Sequence, residues 1–201
     1  MADSVRGSEG AEVVRRVLSR PAPLTDTEWS VLRPLLRRKA LTARQPLLRA
    51  GEVCRDLAFV ECGLLRYFLV GDGREFTGNF FFEESVAADY GSFVSQTAAT
   101  QWVDAVEDSV VWLLGYTELQ RLYASSAAWE RRGRLIAEAV LAAAQRRTAA
   151  LVLQDAEARY RAMVTERPKI LERVPKHMIA AYLGITPEAL SRLRRKLARG
   201  T

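Results

Sequence analysis

The sequence predicts an α+β protein, and three observations carry that reading. Short β-rich runs punctuated by glycine, aspartate and proline lie between about residues 44 and 115; a proline-free stretch with helical apolar spacing follows; and two short helical patterns flank a glycine near the C-terminus. Several short strands with frequent turn signals argue for a small antiparallel sandwich or barrel, which is a container or a platform. A length of 201 residues has room for two modest domains or one large one. With 49% hydrophobic and 27% charged residues, the chain is neither disordered nor membrane-embedded in composition. No run approaches the roughly 18 apolar residues that a span needs, and the N-terminus lacks the apolar core of a signal peptide. A cytoplasmic protein with no membrane partner is therefore expected.

The first ten residues are polar and small and are expected to fray. A short helix over 12–19 ends at the Pro21-Ala22-Pro23 break. Thr25 or Thr27 then caps a helix carrying Trp29, Leu32 and Leu35, with Asp26 and Glu28 favourable in its first turn. Predicted strands cover 57–61, 64–70, 75–82, 102–105 and 109–114. Gly71-Asp72-Gly73 separates two of them, and its glycines can take the positive φ of a tight hairpin. The two cysteines, Cys54 and Cys62, have a spacing that fits neither a zinc nor an iron–sulfur framework, so no metal is expected. Two reduced core thiols are the favoured reading, with a thiol pair across a hairpin as the alternative.

Beyond Gly115 the texture is helical, first over 117–123 and then over about 127–153, where Gly133 is the only glycine. Apolar Leu135, Ile136, Val140, Leu141, Ala144, Ala149 and Leu151 recur close to helical spacing. A helix of about 25 residues spans ~38 Å, longer than a small domain needs for its own core. It either packs on the β module or pairs with a second copy. Pairing is preferred, through Leu135, Ile136, Val140, Ala143, Ala144 and Leu151, with the small Ala142, Ala143 and Ala144 allowing close approach.

The net charge of +6 is unevenly placed. Residues 1–154 carry 19 Lys/Arg and 19 Asp/Glu, whereas residues 155–201 carry 11 and 5, so the whole excess sits in the last quarter, where a polyanion would be attracted. Asp155 caps a helix over 156–164 that Pro168 stops. The next stretch, KILERVPKHMIAAYLGITPEALSRLRRKLARG, reads as two helices around a tight turn. Pro175 suits the first turn of a helix with Met178, Ile179 and Leu183 on one side, and Gly184 can end it in a left-handed conformation. Ile185 plugs the corner. Thr186 caps the second helix, Pro187 takes its first position and Glu188 meets the dipole.

That second helix buries Leu190, Leu193 and Leu197 and leaves a polar face suited to a major groove about 12 Å wide. Arg192 can donate twice to guanine, and Glu188 can accept from cytosine or orient Arg192, with Thr186 and Ser191 beside them. Arg194, Arg195, Lys196 and Arg199 suit phosphates, as do Lys176 and His177 on the first helix. Double-stranded DNA is the partner this implies.

The chain at this point resembles the Crp/Fnr family of regulators over residues 47–197. The blocks that carry the resemblance are LLRAGEVCRDLAFVECGLLRYFL, REFTGNFFFEESVAADYGSF, VEDSVVWLLGYTELQRLY and RVPKHMIAAYLGITPEALSRLRRKL. The resemblance implies an N-terminal antiparallel β-roll of the cyclic-nucleotide-binding-like, jelly-roll kind (1–126), a long dimerisation helix (127–154) and a C-terminal (winged) helix-turn-helix (155–201). It further implies a homodimer on a palindromic operator, with RNA polymerase as a partner. Glu188 and Arg192 match the family's base-reading positions, whereas Pro187 stands where some members have an arginine. Little chain follows the second helix, so any wing is expected to be minimal. Where nucleotide-binding members present Gly-Glu and then Arg-Ser or Arg-Thr, this chain has Ala88-Asp89 and Ala99-Thr100. A buried cyclic phosphate without its charge-assisted partner loses several kcal/mol, so no cyclic-nucleotide cofactor is expected. Another small ligand held by Tyr90, Ser92, Gln96, Thr100 and Trp102, and a purely structural β-roll, both stand as readings.

Two other classes compete. An enzyme is disfavoured because His177 is the only histidine and no phosphate loop, nucleophile elbow or metal cluster is present. A ligand- or protein-binding signalling module that no longer reads DNA remains the alternative.

Overall fold

The computed structural model describes residues 10–199. Residues 1–9, for which fraying was expected, lie outside the described part. The chain divides into two compact units, Met1–Tyr67 with Phe80–Ala139 and Phe68–Asn79 with Val140–Thr201.

The first unit opens with α1 (Glu12–Leu18) and α2 (Asp26–Leu32), followed by a 3₁₀ turn. Thr25 rather than Thr27 caps α2: its hydroxyl accepts from the Glu28 N–H, and the Glu28 carboxylate accepts from the Thr25 N–H. The strands are β1 (Arg37–Leu41), β2 (Pro46–Leu48), β3 (Asp56–Cys62), β4 (Leu65–Gly71), β5 (Arg74–Phe81), β6 (Val86–Ala87), β7 (Trp102–Ala105) and β8 (Ser109–Gly115). They form two four-stranded sheets in the orders β1-β8-β3-β6 and β2-β7-β4-β5, and β1 with β8, β2 with β7, and β3 with both β6 and β8 pair antiparallel. Within this unit α3 (Tyr90–Ser95) and α4 (Tyr116–Ser125) precede the long helix α5 (Ala127–Leu153).

Strands β1 and β2 are absent from the sequence-based reading, for a physical reason. Edge strands keep their charges and prolines, because these discourage pairing with other chains. β1 carries exposed Arg37 and Arg38, and β2 is three residues beginning with a proline. The central strand β3 has the opposite character, with Leu57, Ala58, Phe59 and Val60 all buried. α1 packs against it, and Val13, Val14 and Leu32 share its core with Trp112 and Leu114. The β4–β5 turn also differs from expectation. Asp72 and Gly73 take positive φ, whereas Gly71 ends β4 in ordinary backbone, a two-residue loop of the kind that favours Asp-Gly. Of the two free cysteines, Cys54 is buried, and burial raises its thiol pKa. Cys62 is exposed at the end of β3, so it is not the core thiol that was expected.

The first half of α5 is anchored by one side chain. Arg132 is 3% exposed. Its guanidinium donates to the carbonyls of Leu18 (3.1 Å), Pro23 (3.0 Å) and Ala22 (3.4 Å) and to the Glu28 carboxylate (3.1 Å), and it lies over the Trp129 ring. The Pro21-Ala22-Pro23 break leaves carbonyls without helical partners, and Arg132 collects them. At the next residue, the Tyr123 phenol lies directly against Gly133, where any Cβ would collide with it. Burial, with a smaller contribution from Tyr90, pushes that phenol up to about 12.

The second unit holds the β4–β5 hairpin tip, the rest of α5, and then α6 (Ala156–Glu166), α7 (Lys169–Arg173), α8 (Lys176–Leu183) and α9 (Pro187–Arg199). Asp155 caps α6 through its side chain. Pro168 does more than stop α6, because it also starts the short helix α7, where its fixed φ suits a first turn. No helix among the described residues is long and apolar enough to cross a membrane.

Candidate nucleic-acid interface

The turn between α8 and α9 is built from local chemistry. Gly184 adopts φ +69°, and two backbone bonds, Ile185 N–H to Ala180 and Gly184 N–H to Ala181, close the end of α8 in a Schellman pattern. The Thr186 hydroxyl then accepts from the Ala189 N–H, capping α9. Leu190 is buried and Leu193 and Leu197 are half-buried, so α9 docks one apolar stripe. Thr186, Glu188, Ser191, Arg192, Arg194, Arg195 and Lys196 are exposed, as are Lys176 and His177 at the start of α8. The side chain of Arg199 lies outside the described residues.

The polar face of α9 is internally organised. The Glu188 carboxyl sits below its ordinary pKa, held there by its own backbone N–H, then by the Thr186 hydroxyl, with the Arg192 charge adding to both. Glu188 is thus an acceptor fixed at the helix start, one turn from Arg192. Lys196 differs from its neighbours: its ammonium pairs with Glu157 at 2.7 Å, and Lys196 followed by Arg161 keeps that carboxyl low in pKa.

Three arginines that sequence reasoning missed hold α8 in place. Arg147 of α5 stacks on the Tyr182 ring at 3.8 Å and donates to the Tyr182 carbonyl. Arg159 donates to the Leu183 carbonyl at 2.9 and 3.1 Å and to the carbonyl of Gln154. Arg167 reaches Asn79 at 2.6 Å and the Tyr182 hydroxyl at 3.3 Å. Cations at the last carbonyls of a helix satisfy orphan acceptors and oppose the negative dipole end. The cationic surplus of residues 155–201 is therefore partly structural, since Arg159 and Arg167 face inward bonds and Arg161 and Lys196 share Glu157.

No family sequence model matches the chain, and no curated protein matches it in sequence. Solved structures do. A protein from Eubacterium rectale described as a transcriptional regulator of the crp/fnr family superposes with a TM-score of 0.70 at 16% identity, over 88% of this chain and 85% of that one. FixK2 from Bradyrhizobium japonicum gives 0.69 at 19% identity, over 82% and 85%. The chain has the fold of the Crp/Fnr regulators. CLP from Xanthomonas campestris, titled a c-di-GMP responsive global regulator, shares that fold with a TM-score of 0.63 at 18% identity over 87% and 91%. At these identities the likeness establishes the fold alone.

In the Crp/Fnr fold of this chain, the five residues considered for an effector have the following places. Ser92 is buried in α3; its hydroxyl accepts from the Cys54 N–H at 2.9 Å and donates to the Thr97 carbonyl at 2.5 Å. Gln96, in left-handed backbone at the end of α3, donates to the carbonyls of Phe93 (2.6 Å) and Cys54 (3.3 Å). Tyr90 is half-buried and stacks on Phe93, Trp102 is half-buried on β7, and Thr100 is exposed. Ser92 and Gln96 are thus engaged in holding α3 to the segment around Cys54. None of the five lines a cavity of about 190 Å³ in the first unit, although Ala88, beside the cap residue Asp89, does.

Proposed function

We propose that this protein is a sequence-specific DNA-binding transcription regulator of the Crp/Fnr type, acting in the cytoplasm as a homodimer on a palindromic operator and not as an enzyme. The observation that carries the reading is the exposed face of α9, where Glu188, Ser191, Arg192, Arg194 and Arg195 stand clear on a helix whose opposite side is buried by Leu190. Glu188 and Arg192 are the base-reading pair, with Thr186 and Ser191 at the adjacent backbone; Arg194, Arg195, Lys176 and His177 meet phosphates. Lys196 reaches a phosphate only by leaving Glu157. Two copies pair through Leu135, Val140, Ala143, Ala144 and Leu151, with Ile136 packed instead against this chain's own core; the pairing brings two α9 helices to successive major grooves about 34 Å apart. In this scheme residues 1–126 form the sensor, 127–154 the dimer helix and 155–201 the DNA reader, with RNA polymerase as the downstream partner. Cyclic nucleotide is not the effector, because Ala99-Thr100 offers no arginine to a phosphate and the Asp89 carboxylate is engaged with the Ser92 N–H. Selection of bound duplexes from a random pool tests the reading. A symmetric site with two half-sites one helical turn apart supports it, with Arg192→Ala losing preference at one base pair per half-site; unpaired half-sites, or no enrichment, overturn it.

A further inference from the structure

The cavity in the first unit has a divided lining. Leu48, Val53, Ala87, Val103 and Leu113 give it an apolar floor, and Lys39 and Arg55 supply two cations. Its two carboxylates are already engaged: Asp56 with Arg37 at 2.5 Å, and Glu52 with the Arg49 N–H at 3.0 Å. Among the described residues neither Lys39 nor Arg55 is within ion-pair distance of a carboxylate. The site therefore presents unmatched positive charge beside an apolar surface. Its volume of about 190 Å³ is below the ~300 Å³ of pockets for drug-sized ligands.

From this we infer that the cavity binds a small monocarboxylate, with the anionic head at Lys39 and Arg55 and a short alkyl tail on Leu48, Val53 and Val103. A dianion such as phosphate fits less well, because most of the wall offers it no hydrogen bond and Asp56 and Glu52 stand near it. A cation meets Lys39 and Arg55 with both nearby acids already bound. The placement gives such a ligand something to act on. Val53 bridges to Ala98, and the Cys54 backbone is bonded at both ends to Ser92 and Gln96 of the α3 region, while Ala87 and Ala88 lead directly into the α3 cap. An occupant thus touches both segments from which α3 is held. The inference is independent of DNA binding.

Calorimetric titration of the full chain, without DNA, with butanoate, hexanoate, hexanol, hexylamine and inorganic phosphate tests it. Hexanoate is expected to bind about tenfold more tightly than butanoate, since each buried methylene contributes about fourfold at most. The alcohol, the amine and phosphate are expected to bind at least tenfold more weakly than hexanoate. The double variant Lys39→Gln/Arg55→Gln is expected to weaken hexanoate about tenfold or more while leaving hexanol unchanged. Absence of carboxylate binding, equal binding of hexanol and hexanoate, or unchanged affinity in the double variant overturns the proposal. If the double variant does not fold, the comparison of the five ligands on the unaltered chain decides. Because no duplex is present, failure here leaves the DNA-binding reading standing, and failure of that reading leaves this one.

Discussion

The two halves of α5 are one continuous helix in opposite surroundings. Over residues 127–139 the chain supplies its own partners: Trp129 and Arg132 are buried, and Gly133 receives the Tyr123 phenol. Over residues 140–153 apolar side chains stand exposed instead, Leu141 at 60%, Val152 at 75% and Leu153 at 81%. A stripe written with one period along 27 residues thus serves two purposes. Its first half is held by the fold, and its second half leaves apolar side chains uncovered by this chain, which the proposed pairing with a second copy would cover.

Arg132→Met breaks the anchored half. It leaves Glu28 and the three carbonyls of Leu18, Ala22 and Pro23 without their donor, and removing one partner of a buried pair costs about 3–5 kcal/mol. Urea denaturation should show that loss; a change below about 1 kcal/mol would mean the network anchors nothing. On the open half, Val140→Glu with Ala144→Glu, both exposed and both in the proposed interface, should change the stability of the isolated chain by no more than about 0.5 kcal/mol, as for other surface positions. Sedimentation equilibrium should nevertheless find a monomer where the unaltered chain is a dimer, and an unaltered mass for the double variant would place the interface elsewhere.

The smallest effect is acidic. Burial would raise the Glu28 pKa, but the Thr25 backbone bond, the Arg132 guanidinium and the Thr25 hydroxyl outweigh it and hold the carboxyl below its ordinary value of 4.5. A depressed folded pKa means the contribution is fully present above pH 4.5 and is lost as pH falls through the folded value. Glu28→Gln should therefore flatten the acid limb of stability below about pH 4.5 and leave the slope between about pH 6 and 7 unchanged. An acid limb identical in the two proteins would show that the ion pair is not what titrates.

The same contrast explains what the amino-acid order revealed. Local signals were legible: Gly184, Thr186 and Pro187 mark the α8–α9 turn, and the C-terminal end of α5 follows from the Asp155 cap that opens the next helix. Long-range engagements were not. Ser92 and Gln96 read as free polar groups because Cys54, the residue they bind, lies 38 and 42 positions away. Counting cations could not separate Arg192, which is exposed, from Arg159, whose guanidinium holds the Leu183 carbonyl. Edge strands β1 and β2 escaped notice because their charges and proline suit a sheet border, not an alternating interior strand.

Fluorescence anisotropy of a labelled duplex titrated with the protein at a series of salt concentrations tests the central claim most directly. Log affinity should fall linearly with log salt, and Arg194→Ala/Arg195→Ala should lessen the slope by about two, one for each phosphate that is no longer neutralised. Arg192→Ala should keep most of the slope while narrowing the preference for the selected site over random duplex. Affinity independent of salt, or no binding at low salt to any duplex, would contradict the account.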